Sequence, residues 1–328
     1  MNVVIELPME EMRTFFYEIT ENPEWLYLFA PYSIGDFLIA GGLSYAVQAK
    51  KNKSATVLIA QDRMKNLDVS YENVIGTIYV PVDLIKAANA FIHETEIYER
   101  DNFIYGNFHA GDNHAYDDTL TAVDRFKKYV FDLPIDTPIV YPTIKALDYE
   151  SISNLRGKYI LNKKRTIILL PQAKTFKNLD ENFWIKMAKI LDEKNYIVYT
   201  NVADDEKPVE GTWPITTNFS ELYYITDKVK CFIGMRSGIF DFLAMTDAKI
   251  FNIIDFPRWD WDIKFNYPNC DAQTFYDAVQ YREPLENKLK SQGLPPKIEL
   301  NHEHIAMKDI YFSYEDILGA IINAIEKI

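Results

Sequence analysis

The chain has 328 residues, of which 48% are hydrophobic, and it carries a net charge of −13 at pH 7. This composition is sufficient for large buried cores and argues against global disorder. The acidic balance argues against general nucleic-acid binding, so that an anionic ligand would need a local cluster of donors. We expect a cytoplasmic protein, because no apolar run approaches the roughly 18 residues of a spanning helix and the acidic N-terminal stretch is unlike a signal peptide.

Strand-like and helix-like segments alternate over the first 130 residues. The predicted elements are a helix over 9–20, a strand over 24–30, a helix over 37–52, strands over 55–60 and 74–80, a helix over 82–94, a strand over 102–108 and a helix over 117–130. This alternation is typical of a parallel sheet with helices on both faces. Residues 132–146 contain three prolines and no clear period, which predicts a linker.

The same alternation restarts after the predicted linker. We predict helices over 148–157, 180–195, 219–229 and 238–246, strands over 165–170, 196–201, 230–235 and 248–254, an irregular segment over 255–305 and an amphipathic helix over 313–328. The fold class is therefore α/β, with two Rossmann-like domains over 1–145 and 146–312 and a C-terminal helix over 313–328. Two cysteines, Cys231 and Cys270, form neither a disulfide framework nor a zinc motif, and we expect reduced structural thiols.

The letters MRSG, which end at Gly238, join a predicted strand to a predicted helix. Ligands of open α/β sheets bind beyond the carboxyl ends of the strands. Arg236 offers a forked cation, Ser237 offers a hydroxyl, and the first helical N–H groups favour an anion. These donors fit a diphosphate. In the alternative, Ser237 only caps the helix and Arg236 pairs with a nearby acid such as Asp241.

A second strand-to-helix turn, SIGD, ends at Asp36. It matches neither the GxGxxG fingerprint nor a Walker loop, which argues against a Rossmann dehydrogenase. The Asp36 carboxylate could accept a proton from an attacking hydroxyl, or it could cap the helix that follows. In the second domain, Lys174 and Lys177 follow a buried strand and could face the same anion as Arg236, or could belong to a solvated loop.

Two further loops hold candidate residues. His109, in the loop over 106–118, is the second candidate for a general base, with Asp112 to orient it; a solvated loop and a metal site are the alternatives. Thr217 and Asn218 are candidates for contact with a nucleobase and ribose, unless the loop only caps a helix. The letters DWD at 260–262 lie in an aromatic-rich loop and do not follow a strand, so we predict no metal ligands there.

The order of these segments resembles the GT-B glycosyltransferases, and most closely the heptosyltransferase-like family. The stretch IGDFL (34–38) is similar to the early G-D turn of that family, the segments over 167–201 and 217–244 follow its order, and the pair Ser237-Gly238 matches its D-S-G-x-x-H turn. Arg236 stands where the family has aspartate, and Asp241 stands where it has histidine. These departures concern the heptose substrate more than the fold.

The resemblance implies two domains that face a cleft and a C-terminal helix that can cross back to the N-terminal domain. It implies transfer of a sugar from a nucleotide-diphospho-sugar to a hydroxyl of a glycan or lipid-linked glycan, with inversion and without metal or further cofactor, in bacterial surface polysaccharide or glycoconjugate synthesis. The aromatic content of 14% is compatible with peripheral membrane contact. The alternatives are a nucleotide-sugar epimerase of GT-B fold and a non-catalytic nucleotide- or glycan-binding protein.

Overall fold

The chain divides into two α/β units, residues 1–145 and 146–328, and each unit has its own sheet, which is mainly parallel in the first unit and parallel throughout its described strands in the second. The computed structural model describes residues 14–15, 18–30, 33–82, 84–85, 88, 99–106, 122–173, 179–203, 206–235, 237–255, 271–277 and 314–328.

The first unit opens with a β-α-β arrangement. Its elements are β1 (Trp25–Phe29), α1 (Ile34–Lys50), β2 (Ala55–Gln61), a 3₁₀ helix (Asp62–Leu67), β3 (Val69–Ser70), β4 (Val74–Val80), β5 (Glu99–Arg100), β6 (Phe103–Tyr105), α2 (Ala122–Arg125) with a π-helical turn (Phe126–Val130), and β7 (Thr143–Ile144). The sheet order is β4-β2-β1-β6-β5, with β5 antiparallel and the other strands parallel. The strand order therefore reverses between β1 and β6, which is a topological switch point.

Helix α1 shows how the local sequence sets the ends of an element. Ser33 is its N-cap in an extended conformation, and the Ser33 side chain accepts a hydrogen bond from the N–H of Asp36 at 3.1 Å. The helix ends before Asn52, which has a φ of 53°. Asparagine tolerates this left-handed conformation, which stops the helix and turns the chain toward β2. The predicted helix start at residue 37 is corrected to Ile34, because Ser33 caps the helix.

Two consecutive glycines allow other segments to approach the backbone of α1. A Cβ on Gly41 would collide with the ring of Tyr71, which is buried and donates its hydroxyl to the carbonyl of Leu38 at 3.0 Å. A Cβ on Gly42 would lie 2.6 Å from Cγ1 of Ile139. Helix interiors normally disfavour glycine, so close packing explains the pair better than helix propensity does.

The segment over 132–146, predicted as a linker, is attached to the first unit. The N–H of Val140 donates to the carbonyl of Gly42 at 2.9 Å, and β7 pairs antiparallel with β3. Nζ of Lys127 donates to the carbonyl of Ile135 at 2.8 Å. The segment ends at the boundary between the two units, as expected of a linker, but backbone hydrogen bonds also hold it against neighbouring elements.

The described residues of the second unit form a six-stranded sheet. Its elements are α3 (Tyr149–Lys158), β8 (Thr166–Leu170), α4 (Glu181–Glu193), β9 (Ile197–Asn201), β10 (Trp213–Ile215), α5 (Phe219–Ile225), β11 (Cys231–Met235), α6 (Gly238–Ala244), β12 (Lys249–Asp255), β13 (Asp271–Asp277) and α7 (Tyr314–Glu326). All strands are parallel, in the order β10-β9-β8-β11-β12-β13. This is the Rossmann order 3-2-1-4-5-6, with its reversal between β8 and β11.

Two of these strands were not expected. β10 is three residues long, and β13 lies within the segment predicted to be irregular. Both strands are at the edges of the sheet that the described residues form, where apolar runs are not required because only one side of the strand pairs within that sheet. The letters DAQTFYD of β13 accordingly lack the continuous apolar pattern of β11 and β12.

Helix α7 belongs to the core of the second unit. Its apolar face is buried in a cluster with residues of α4, β8, β11 and β12; the α7 members are Ile317, Leu318, Ile321, Ile322 and Ile325. Lys186 on α4 pairs with Glu315 on α7 at 2.6 Å. The predicted C-terminal helix is therefore part of the second unit, and its crossing back to the first domain stays a prediction.

The predicted fold class, α/β with parallel sheets, is confirmed. None of the described helices combines the length and apolar character needed to cross a membrane.

Candidate functional site

The switch point of the second unit brings the ends of β8 and β11 side by side. Gly234, the last residue but one of β11, is paired with Leu170, the last residue of β8. A Cβ at position 234 would collide with the carbonyl oxygen of Leu170. Only glycine allows this approach of the two backbones, and the chain segments that follow both strands therefore leave the same short stretch of the carboxyl edge.

Residues of the MRSG turn lie at this edge. Met235 is buried at the end of β11, Ser237 is the N-cap of α6 in an extended conformation, and Gly238 begins the helix. Ser237 and Gly238 are half-buried, and the Ser237 carbonyl accepts from Phe240 N–H at 2.9 Å. The side chain of Ser237 makes no cap hydrogen bond. Arg236 lies outside the described residues, so both its contact with a diphosphate and its pairing with Asp241 stay predictions.

The loop after β8 starts at the same edge. Its described part ends at Ala173, which is buried in the core of the second unit. Lys174 and Lys177 follow in the sequence and lie outside the described residues. Their contact with an anion stays a prediction. The loop to which they belong in the sequence follows β8, which neighbours β11.

Thr217 and Asn218 follow β10 at the same carboxyl edge. The Asn218 side chain accepts from the N–H of Glu221 at 2.9 Å, and the Glu221 carboxylate accepts from the N–H of Asn218 at 2.8 Å. This capping box gives Asn218 a structural role at the start of α5. Thr217 is half-buried, with its hydroxyl 3.5 Å from Oδ1 of Asn201 at the end of β9.

Tyr159 holds this loop in place, although no motif in the sequence points to it. Its hydroxyl donates to the carbonyl of Thr216 at 3.2 Å and accepts from the Thr216 N–H at 3.1 Å. Its buried ring packs edge-on against Tyr199 of β9. The only sequence signal is a tyrosine in a short connection before a buried strand, and its partner lies 57 residues away.

In the first unit, the turn after β1 leads to Asp36. Asp36 is the third residue of α1 and is half-buried. The alternative in which Asp36 caps the helix is wrong, because Ser33 is the cap. The signal for this was the S-x-x-D spacing of Ser33 and Asp36, since an acid three residues after a cap serine is typical of a helix start. A carboxylate in the first turn is also favoured by the helix dipole.

The second strand of this switch point, β6, ends beside β1. Gly106 follows it, and its N–H donates to the carbonyl of Phe29 at 2.7 Å. A Cβ on Gly106 would lie only 3.1 Å from that oxygen. His109 is three residues further along the sequence and lies outside the described residues, as does Asp112. The segment that carries His109 therefore begins next to the strand that leads to Asp36.

Over the described ranges, no three or more His, Cys, Asp or Glu side chains converge on a position that could hold a metal ion. The DWD letters at 260–262 are outside them, and metal independence stays a prediction.

Comparison with known proteins identifies the fold. No protein-family profile and no curated protein matches the sequence. Among solved structures, E. coli ADP-heptose LPS heptosyltransferase II has a TM-score of 0.51 at 13% identity, over 76% of this chain and 89% of that one. A glycosyl transferase family 9 protein from Veillonella parvula DSM 2008 has a TM-score of 0.56 at 10% identity, over 93% of this chain and 97% of that one.

A third structure is that of TibC from E. coli, described as a dodecameric iron-containing heptosyltransferase in complex with ADP-D-β-D-heptose. Its TM-score is 0.50 at 12% identity, over 92% of this chain and 77% of that one. The chain therefore has the fold of GT-B-like glycosyltransferases, as the resemblance predicted. At these identities the likeness establishes the fold alone.

Proposed function

We propose that the protein is a glycosyltransferase that moves a sugar from a nucleotide-diphospho-sugar to a hydroxyl of a glycan or lipid-linked glycan acceptor. The observation that carries the proposal is that candidate site residues lie at the switch point of each unit. Asp36 follows β1 in the first unit, and Ser237 and Gly238 follow β11 in the second. The fold shared with heptosyltransferase II and the family 9 protein supports the same class of reaction.

The donor site belongs to the second unit. Arg236, with Lys174 or Lys177, neutralises the diphosphate, while the N–H groups and hydroxyl at Ser237 and Gly238 donate to its oxygens. Thr217 and the amide nitrogen of Asn218 contact the ribose or base. As the bond between the anomeric carbon and the diphosphate breaks, its electron pair leaves with the nucleoside diphosphate, and these donors stabilise the charge that develops.

The acceptor is activated by the first unit. Asp36 accepts the proton of the acceptor hydroxyl while its oxygen bonds to the anomeric carbon, which inverts the configuration there. His109 is the second candidate for this base. The reaction requires no metal in this proposal, and it serves assembly of a bacterial surface polysaccharide or glycoconjugate on the cytoplasmic side of the membrane.

The test is a thermal-shift panel of nucleoside diphosphates and nucleotide sugars, followed by turnover measured by NMR. A ligand at 100 times its Kd stabilises the folded state by about 2.7 kcal/mol. We expect one nucleotide family to stabilise the protein and the matching nucleotide sugar to be consumed only with an acceptor. Interconversion or hydrolysis without acceptor would indicate the epimerase, and binding without turnover would indicate a non-catalytic protein.

The same assay tests metal independence. We expect turnover to continue in excess chelator. Complete loss of activity that manganese restores would overturn this part of the proposal.

A further inference from the structure

Asn252 is a fully buried amide in the sheet of the second unit. It is 0% exposed, and neither its Nδ2 nor its Oδ1 has a hydrogen-bond partner in the part of the chain that the structure describes. A carboxamide buried without partners costs stability, so such a group requires an explanation.

Asn252 lies on β12, one strand away from the switch point between β8 and β11. Asn252 on β12 pairs with Gly234 on β11, and Gly234 pairs with Leu170 on β8. Because paired residues in a parallel sheet share a face, Leu170, Gly234 and Asn252 form one row across three strands. Leu170 is the last residue of β8 and Gly234 is the last but one of β11, so the row reaches the carboxyl edge on these two strands, whereas β12 continues for three residues beyond Asn252.

The face of the sheet can also be assigned. Phe251 and Ile253, on either side of Asn252, are in the core cluster with α4 and α7. Asn252 therefore faces the opposite side, where α6 packs against β12. On β11 its neighbour is Gly234 and on β8 the next residue is Leu170, so the side chains of these two strands offer the carboxamide neither a donor nor an acceptor. On its other side Asn252 pairs in register with Thr274 of β13.

We propose that Asn252 is a nucleotide-binding residue of the donor site, an inference that rests on the proposed function. Phosphate oxygens only accept hydrogen bonds and would satisfy Nδ2 alone. A group that both donates and accepts, such as a ribose or sugar hydroxyl or a nucleobase edge, satisfies Nδ2 and Oδ1 together. Asn252 thus recognises the nucleoside or sugar part of the donor, whereas Arg236 and the lysines bind its diphosphate.

The variant Asn252→Leu tests this assignment, because leucine has a similar branched shape and no polar atoms. Removing an amide that lacks partners leaves the thermal midpoint of the ligand-free protein equal or raises it. Affinity for the stabilising nucleoside diphosphate and nucleotide sugar falls about tenfold or more, as expected when a polar ligand group loses its partner. Affinity for inorganic pyrophosphate is unchanged.

Two further variants complete the design. Asn252→Thr keeps one donor and one acceptor and recovers part of the lost nucleotide affinity. Ile250→Leu, a matched control two residues earlier on the same buried face, leaves nucleotide affinity at the wild-type value.

The outcomes separate this inference from the function on which it rests. A lower midpoint or failed folding of Asn252→Leu shows that the amide is already bonded in the ligand-free protein, and it overturns the inference. Unchanged nucleotide affinity, or an equal loss for pyrophosphate, also overturns it while the proposed function stands. If the wild-type protein binds no nucleoside diphosphate or nucleotide sugar of the panel, the proposed function itself fails.

Discussion

Gly42 and Val140 meet backbone to backbone. The Val140 N–H donates to the Gly42 carbonyl at 2.9 Å, and a Cβ on Gly42 would lie 2.8 Å from the Val140 carbonyl oxygen. The middle of α1 is thus in direct contact with the segment that leads out of the first unit, and no side chain separates them.

Gly42→Ala should therefore destabilise the protein even though alanine is the better helix former. We expect a loss of about 1–3 kcal/mol in the free energy of unfolding, because the added methyl group overpacks a closed contact. Gly319→Ala is the matched control, since a Cβ on Gly319, inside α7, would have no atom of the described residues within 4 Å. It should gain about 0.5–1 kcal/mol. Urea unfolding of both variants checks the prediction, which fails if they shift in the same direction.

Asp36→Asn should separate catalysis from folding. If Asp36 is the general base, kcat falls by about 10²–10⁴-fold while donor binding is retained. Stability changes little, because Ser33 provides the cap. Ser33→Ala is the contrasting variant, with a loss of about 1 kcal/mol in stability and an intact carboxylate. Steady-state kinetics and urea unfolding measure both. A wild-type rate in Asp36→Asn would contradict the assignment of Asp36 and favour His109 as the general base.

The ion pair of Lys50 and Asp132 should make stability depend on pH. Its hydrogen bond to Lys50 lowers the pKa of the Asp132 carboxyl. The folded state then binds fewer protons than the unfolded state, so this stabilisation is present above about pH 4 and is lost as the pH falls through the lowered pKa. Asp132→Asn should unfold at a lower urea concentration than the wild type at pH 7, and the difference should shrink as the pH falls below about 4.

The size of this effect should be small, because the Asp132 carboxyl is exposed to solvent and screened by salt. Asparagine suits the φ of 48° at this position, so the substitution tests the charge and not the backbone. A difference in unfolding midpoint that is independent of pH would contradict the ion-pair account.

Cys231 should be inert in the folded protein. It is 1% exposed in β11, and burial raises the pKa of its thiol well above the usual range. Because the thiolate is the reactive form, a disulfide reagent should not label Cys231 at pH 8 until the protein unfolds. The variant Cys270→Ser isolates this thiol, and labelling in the presence and absence of urea checks the result. Rapid labelling without urea would contradict the buried position.

Local patterns in the sequence were sufficient for most of the described fold. Continuous apolar runs such as IILL before Pro171 and CFIGM before Arg236 predict buried parallel strands, and both are central in the second sheet. Helix periodicity likewise located α4 and α7 to within a few residues. These signals succeed because each depends on neighbouring residues and on burial from both sides.

The parts that were missed depend on contacts between distant residues. The edge strands β10 and β13 are recognised only from their neighbours, and Tyr159 acts through a loop far along the chain. The requirement for glycine at positions 42 and 234 is apparent only when the backbone opposite each of them is known. Likewise, the letters KIFNIID reveal an asparagine in a strand but not that its amide lacks partners among the described residues.

The sequence of the edge strand β10 disfavours pairing with a further strand. The carbonyl of Ile215 points toward β9 and accepts from the N–H of Val202 at 3.0 Å. Because the backbone groups of successive residues point to opposite sides of a strand, those of Pro214 point away from β9. Proline has no N–H to offer there, and a further strand arriving along this side would find no donor at the centre of β10. Trp213, next to this proline, is an exposed apolar side chain. Pro214 therefore disfavours aggregation through pairing of the exposed edge of β10 with a strand of another molecule.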